Sequence, residues 1–316
     1  ALRSFLQERG VNYRADMSSP VEGWEGCSRL SPYLAFGCLS IRTIHQAAGS
    51  RVAELRALVR SGGPVDRRWL GSLSSFGARL RWHCHFMQKL EDEPRIEFEN
   101  FSRAFDGMRE GFSATPEAEE RFRRWQEGTT GYPMVDACMR AVRATGWLNF
   151  RMRAMVASFA AYHLWLHWRE PAVYLGRHFL DFEPGIHFSQ FQMQSGTTGI
   201  NTLRIYSPAK QALDQDPKGV FIRRWIPELA RVPESWLSQP HLMPLEMQAR
   251  YGCSIGKDYP APVVDHQAAV ALARERFAAV RKRPGTRAEA KRVLTKHGSR
   301  KRPAKRARPL VTATLL

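Results

Sequence analysis

The sequence predicts a mainly α protein on three observations. Apolar residues recur every 3 to 4 positions in its longer segments, alternating apolar and polar runs are scarce, and proline and glycine fall where helices start and stop. At 316 residues with 43% hydrophobic content, the chain can bury a sizeable core and lies near the size at which chains divide into domains. The expected organisation is one helical domain over residues 1–265, then a basic tail, disordered or partly helical, over 266–316.

The chain opens at Ala1, without a methionine, inside the amphipathic pattern LRSFLQERG, and reads as the remnant of something longer. In SRLSPYLAFG, Ser31 is placed as an N-cap with Pro32 at the first helical position and Gly37 as the stop; Ser40 caps IRTIHQAA in the same way. Pro133 opens PMVDACMRAVRATG, whose apolar positions Met134, Val135, Cys138 and Val142 share the helical spacing, and Gly146 closes it. From Trp147 a second helix is expected through the most aromatic stretch of the chain, ending before Pro171. Segments rich in Gly, Pro and Thr, such as EPGIHFSQFQMQSGTTGIN, are expected as loops, and no internal repeat is present.

The net charge of +18 is unevenly placed: between Arg281 and Arg308 thirteen Lys or Arg stand against Glu289 alone, a net +12. Such a run suits a polyanion, nucleic acid above all, although a solvated tail without a partner has the same composition. The apolar run Ala154 to Trp168 is interrupted by His163 and His167 and falls short of the roughly 20 residues a spanning helix needs. No signal-peptide succession opens the chain, so a cytoplasmic, monomeric protein away from membranes is expected. Cys27, Cys38, Cys84, Cys138 and Cys253 form an odd set without a CxxC pair, which argues for reduced thiols and against a metal site. His83 and His85 in WHCHF are two apart, on different faces of a helix, and do not make a local metal pair.

Three constellations carry chemistry. Ser28, Arg29 and Ser31 in CSRLSPYL gather hydroxyls, a guanidinium and a helix start within four residues; an ordinary cap explains them, and so does a site for an anion such as phosphate. Arg151 and Arg153 lie in the aromatic stretch, pointing different ways, with Asp181 and Glu183 as available partners for a buried guanidinium, either as a structural ion pair or as part of a site. Nine tryptophans, among them Trp82, Trp147, Trp165 and Trp168, belong to a core or to a path for one-electron transfer, because indole is easily oxidised.

SRLSPYLAFGCLS, WQEGTTGYPMVDACMRAVRATGW, RMRAMVASF, HWRE and DPKGVFIRRWIPEL, in that order, resemble the FAD-binding helical domain of the DNA photolyase and cryptochrome family, from about Tyr13 to Leu242. The resemblance implies FAD, folded into a U shape in a helical bowl beneath a positively charged groove. Its diphosphate would be held by Ser28, Arg29, Leu30 and Ser31 with Tyr13, and with Cys27 where the family usually has Thr. Arg153 would pair with Asp181 beside the isoalloxazine ring, with Glu183 at the same edge, Asn149 following the GW helix start, and Phe76, Arg79 and His83 lining the cofactor. His187 falls where Asn or Asp usually lies over flavin N5. Trp82 would stack on a flipped pyrimidine dimer in DNA, with Arg151 and Met193 on the DNA side.

The family's chemistry passes an electron from photoexcited, fully reduced flavin to the dimer and takes it back after the ring bonds break. Several positions depart from the usual pattern. Arg79 stands where an acidic residue often contacts the lesion, His83 where arginine is usual, and Phe150 where many photolyases have Asn. Trp168 keeps one place in the tryptophan chain, but Phe191 and Thr115 stand at the flavin-proximal and outer ones, so a detour through Trp147, Trp165 or Tyr162 is expected. The resemblance leaves three readings open: a light-driven DNA repair lyase, a cryptochrome-like photoreceptor, and a flavin-binding fold without photochemistry. The antenna pigment stays unspecified, since the family carries it in an N-terminal α/β domain that this sequence does not contain.

Overall fold

Ser40 accepts a hydrogen bond from the backbone N–H of Thr43 and starts helix α1, Ile41–Arg60, as its spacing from the following apolar run requires. In the computed structural model, which describes residues 1–298, α1 is followed by α2 (Arg68–Asp92), α3 (Pro116–Glu127), α4 (Pro133–Thr145) and α5 (Phe150–Ser158). Then come α6 (Arg169–His178), α7 (Pro184–Ser195), α8 (Pro208–Gln215), α9 (His266–Lys282) and α10 (Thr286–His297), with shorter turns of helix between them. Among the described residues there is no β-strand, only an isolated bridge between Ile255 and Tyr259, and no helix is long and apolar enough to cross a membrane. The main core gathers around α4, α5 and α7; a second packs Phe5, Tyr13, Trp69 and Phe76 between the N-terminal turns and α2.

One buried carboxylate shapes the entry to α4. Asp136 is fully buried and accepts hydrogen bonds from the Thr130 backbone N–H (2.8 Å), the Thr130 hydroxyl (2.6 Å), the Gly131 N–H (3.0 Å) and the Tyr259 hydroxyl (2.6 Å). Gly131 sits at φ +81°, and a Cβ there would stand 2.5 Å from the Ala261 carbonyl, so glycine is required twice over. The lead-in Thr130-Gly131-Tyr132-Pro133 is thus a tertiary junction as well as a helix start.

The structure departs from the sequence reading in four places. Ser31 is the first residue of a five-residue helix, Ser31–Ala35, with Leu30 as its cap and no side-chain capping bond; the Ser31 hydroxyl instead favours the ionised Asp181 carboxyl. The helix expected from Trp147 to Pro171 begins at Phe150, passes into a π-turn at Phe159–His163 and breaks before α6, with Trp165 at φ +59°. Pro171 sits in the first turn of α6, where no intrahelical donor is lost. The break is held by Arg109, 2% exposed, which donates to the carbonyls of Ala161 (3.1 Å) and Ser195 (3.0 Å) and lies 4.7 Å from the Trp165 ring. Burial lowers the Arg109 pKa to about 10, which still leaves it charged at neutral pH.

The segment expected as a loop around EPGIHFSQFQMQSG is helix α7, opened by Pro184 and closed by Gly196 at φ +79°. It is buried on nearly every side, so no one-sided apolar pattern marks it. Gly185 lets it lie against α2, since a Cβ there would stand 3.0 Å from the Met87 backbone.

The boundary expected at residue 265 is likewise not where packing ends. Ala273, Phe277 and Val280 of α9 and Val293 of α10 are buried, those of α9 at helical spacing that the surrounding charge conceals. The rest of the expected tail, 299–316, lies outside the described residues.

Asp136→Ala should lower stability by about 3–5 kcal/mol, because it leaves several buried donors unpaired at once. Urea unfolding measures this, and a loss below about 1 kcal/mol would contradict the role of the carboxylate as the pin of this junction.

Candidate functional site

Arg153 leaves the middle of α5 and its Nη2 meets Asp181 Oδ2 at 2.9 Å, while its Nε donates to the Leu148 carbonyl at 2.7 Å. The Asp181 side chain is 4% exposed and that of Arg153 is 28% exposed, so the expected ion pair forms with its carboxylate end buried. Burial alone would raise the Asp181 carboxyl, but the Arg153 guanidinium beside it, with a smaller contribution from the Ser31 hydroxyl, holds it below the usual carboxylate value. The other oxygen, Asp181 Oδ1, is buried without a hydrogen-bond partner, and so is Asn149 Oδ1, whose amide Nδ2 donates to the Met17 carbonyl (3.2 Å). Unpaired acceptors of this kind are destabilising unless a ligand completes them.

Above this floor runs the segment from Cys27 to Ser31. Arg9, which belongs to no sequence motif, donates to the carbonyls of Glu25 (2.6 Å), Cys27 (2.8 Å) and Ser28 (3.4 Å). These carbonyls turn toward one guanidinium, and Arg29 adopts φ +57°, a left-handed conformation that is strained for a non-glycine residue. Among the described residues the backbone N–H groups of Ser28, Arg29 and Leu30 find no protein acceptor. A run of unpaired N–H groups about a left-handed residue is a concavity for an anion. The Arg29 side chain itself is engaged elsewhere, pairing with Glu25 (2.6 Å) and donating to the Trp24 carbonyl (2.8 Å), which leaves its backbone N–H as the group available to an anion. Burial pushes the Cys27 thiol up to about 11, which keeps it neutral and able to donate.

At the mouth, Trp82 on α2 is half exposed, with a cation against its ring. The Arg79 guanidinium lies 4.5 Å from the Trp82 centroid and 4.6 Å from that of Phe150, a planar cation resting against two aromatic rings. Arg79 and Arg151 have no carboxylate partner among the described residues, and Arg151 Nε is buried without an acceptor. Tyr13 is buried beside Arg79, and burial raises its phenol to about 12. Phe76 packs on Phe5 (4.8 Å) and Tyr13 (5.8 Å), so its ring serves the core behind the mouth. His83 is half buried with Nδ1 unpaired, and Met193 is half buried on α7.

His187 on α7 is buried and its Nε2 lies 2.7 Å from the Ala172 carbonyl. That bond makes Nε2 the protonated nitrogen, and burial lowers the ring to about 4, so the imidazole is neutral and Nδ1 is left as an acceptor. Glu183 precedes α7 without capping it, and burial raises its carboxyl. Trp168 is buried and donates to Asn100 Oδ1 at 2.8 Å. Phe191 lies 4.9 Å from the His187 ring, and Thr115 caps α3. Trp147 meets Trp24 edge-on at 5.4 Å. The expected set therefore divides into a floor (Asn149, Arg153, Asp181), an N–H concavity (Ser28 to Leu30), a mouth (Arg79, Trp82, Arg151) and peripheral aromatics.

The profile of the FAD binding domain of DNA photolyase matches residues 76–279. The chain belongs to the photolyase and cryptochrome family. It is 30% identical over 267 residues to a deoxyribodipyrimidine photo-lyase of Alkalihalophilus pseudofirmus, covering 84% of this chain and 51% of that protein. It is 33% identical over 268 residues to a cryptochrome DASH of Gloeobacter violaceus, covering 84% and 48%. The fold superposes on a class III photolyase from Agrobacterium tumefaciens with a TM-score of 0.77 at 28% identity, over 89% of this chain and 55% of that one. The chain thus spans about half the length of these relatives. The cofactor of this domain is FAD. The residues present fit it: the concavity at Ser28 to Leu30 offers donors to a diphosphate, and the unpaired oxygens of Asp181 and Asn149 offer acceptors to the N–H edge of a ring.

Arg153→Met would leave Asp181 buried without its counterion, with an expected loss of about 3–5 kcal/mol. Because the folded-state pKa of Asp181 lies below its unfolded value, its share of stability is present above the ordinary carboxylate range and is lost as pH falls through the lowered value. That acid-side slope should reverse in Arg153→Met, where burial without the guanidinium raises the carboxyl, and bound flavin absorbance should be lost; urea midpoints against pH and a visible spectrum measure both. A variant that keeps the wild-type slope would show that the pair carries no charge coupling.

Proposed function

We propose that this chain is the FAD-holding domain of a blue-light-driven DNA repair lyase acting on pyrimidine dimers. The observation that carries the reading is the stack of a donor concavity over a carboxylate–guanidinium floor, opening on a mouth with aromatic walls and unpaired cations. Reduced FAD, when bound, supplies the photoexcited electron that the chemistry needs. The protein's own residues do the rest. Ser28 to Leu30 would hold the diphosphate through backbone N–H groups, with Cys27 and Ser31 flanking them. Asp181, fixed by Arg153, would accept from the flavin ring edge, and Glu183 would lie at the same edge. His187, neutral and tethered to Ala172, would present Nδ1 toward the ring.

Trp82 and Phe150 offer π-faces to an unstacked base, and Arg79 and Arg151 offer charge to its phosphates. In this reading Arg79 leaves the face of Trp82 when a base arrives. A cryptochrome-like photoreceptor is the second reading. It is favoured by the same Arg79, which lies against the ring a lesion would use, and relatives of similar identity include cryptochromes.

The purified protein should carry flavin absorbance, and illumination with a dimer-containing oligonucleotide should restore adjacent thymines. Flavin photoreduction without repair would select the photoreceptor, and a protein without flavin would remove both. Trp168→Phe should abolish a tryptophan-radical signal in transient absorption; unchanged kinetics would place the electron route elsewhere.

A further inference from the structure

The cations of α10 are sorted by face. Glu93, just past the end of α2, is 5% exposed. Its carboxylate receives Arg95 and His297 directly, Lys296 Nζ at 3.3 Å and Arg292 at 3.6 Å. Arg292 also donates to the Phe101 carbonyl (2.8 Å) and pairs with Glu289 (2.9 Å), which accepts from the Arg103 N–H (2.8 Å). Val293 packs with Ile96 and Phe101 beneath them. Every cation that faces the body is therefore neutralised.

The opposite side is different. Arg287 and Lys291 lie one turn apart on the outer face of α10, and Arg281, Lys282 and Arg283 crowd the corner where α9 turns into it; all five are exposed. None has a carboxylate partner among the described residues, and residues 299–316 contain no Asp or Glu. A solvated helix face usually interleaves the two signs, because like charges one turn apart repel. This corner keeps the repulsion, while Glu93 and Glu289 are spent on holding the helix down.

We propose that the α9–α10 corner is a preorganised surface for the phosphate backbone of nucleic acid, with Glu93 as the pin that sets it. The inference rests on the DNA-binding reading above and assigns part of that binding to a folded surface away from the mouth. An anionic membrane is less suited: Leu294 is the sole large apolar side chain exposed on α10, and no aromatic residue of α10 is available to insert into lipid.

The test uses the full chain in the dark with undamaged duplex DNA, so that it is independent of photochemistry; affinity is read by fluorescence anisotropy against salt. Arg287→Ala with Lys291→Ala, at two positions free of packing, should reduce the slope of log affinity against log salt by about 2, roughly 0.9 for each phosphate that is no longer neutralised, and leave any preference for dimer-containing DNA unchanged. Glu93→Gln removes one negative charge, so diffuse attraction alone predicts tighter binding, whereas a pinned surface predicts weaker binding and a shallower slope. An unchanged slope in the double variant would overturn the proposal. Tighter binding by a folded Glu93→Gln protein would overturn the pin. Loss of binding to phosphatidylserine vesicles with duplex binding intact would give the corner to membranes instead. If the wild-type chain itself ignores duplex DNA, the repair reading falls with this one; if it binds and only the slope test fails, the repair reading survives alone.

Discussion

The site depends on one buried charge. A carboxylate as enclosed as Asp181 is destabilising unless a cation and hydrogen bonds compensate it, and Arg153 supplies both from α5, 28 residues earlier in the chain. The guanidinium is in turn held by the Leu148 carbonyl, at the turn where α4 hands over to α5. The pair therefore ties the Gly146 turn, α5 and the approach to α7 into one floor, and it leaves a single carboxylate oxygen, in a fixed place, without a partner.

The same economy appears at the upper wall. Arg9 gathers three carbonyls and so turns the opposite edge of residues 28 to 30 into consecutive donors. Arg109 bridges the π-turn after α5 to the C-terminal end of α7, and Arg153 pins the floor. Three guanidiniums bonded to backbone carbonyls thus position the elements around the site, while the arginines at its mouth lack carboxylate partners among the described residues. Planar, always-charged side chains suit both tasks, since one fork can satisfy several carbonyls or take a phosphate.

Some of this was legible in the chain. Charge and context narrowed the partners of the buried guanidinium to Asp181 and Glu183, and the family resemblance implied the pairing of residues 153 and 181 that the structure forms. The start of α4 followed from Pro133 and its end from Gly146. Other features were hidden. Arg9 acts on carbonyls 16 to 19 residues away and has no local signature. Helix α7, enclosed all round, has no apolar stripe to betray it. The buried positions of α9 and α10 are few among many charges, so the whole segment read as tail. Arg79 could be seen as a departure from the family, but not as a side chain lying against Trp82 and Phe150.

What the sequence determined by itself is local: helix starts and stops at Ser40, Pro133 and Gly146, the helical class, and a family likeness carried by ordered motifs. These depend on interactions within a few residues, or on the residue types themselves. What only the tertiary structure decided is which polar groups are left without partners. That follows from the sum of all the others' bonds, as at Ser28 to Leu30, Asp181 and the outer face of α10, and no window of sequence contains that sum.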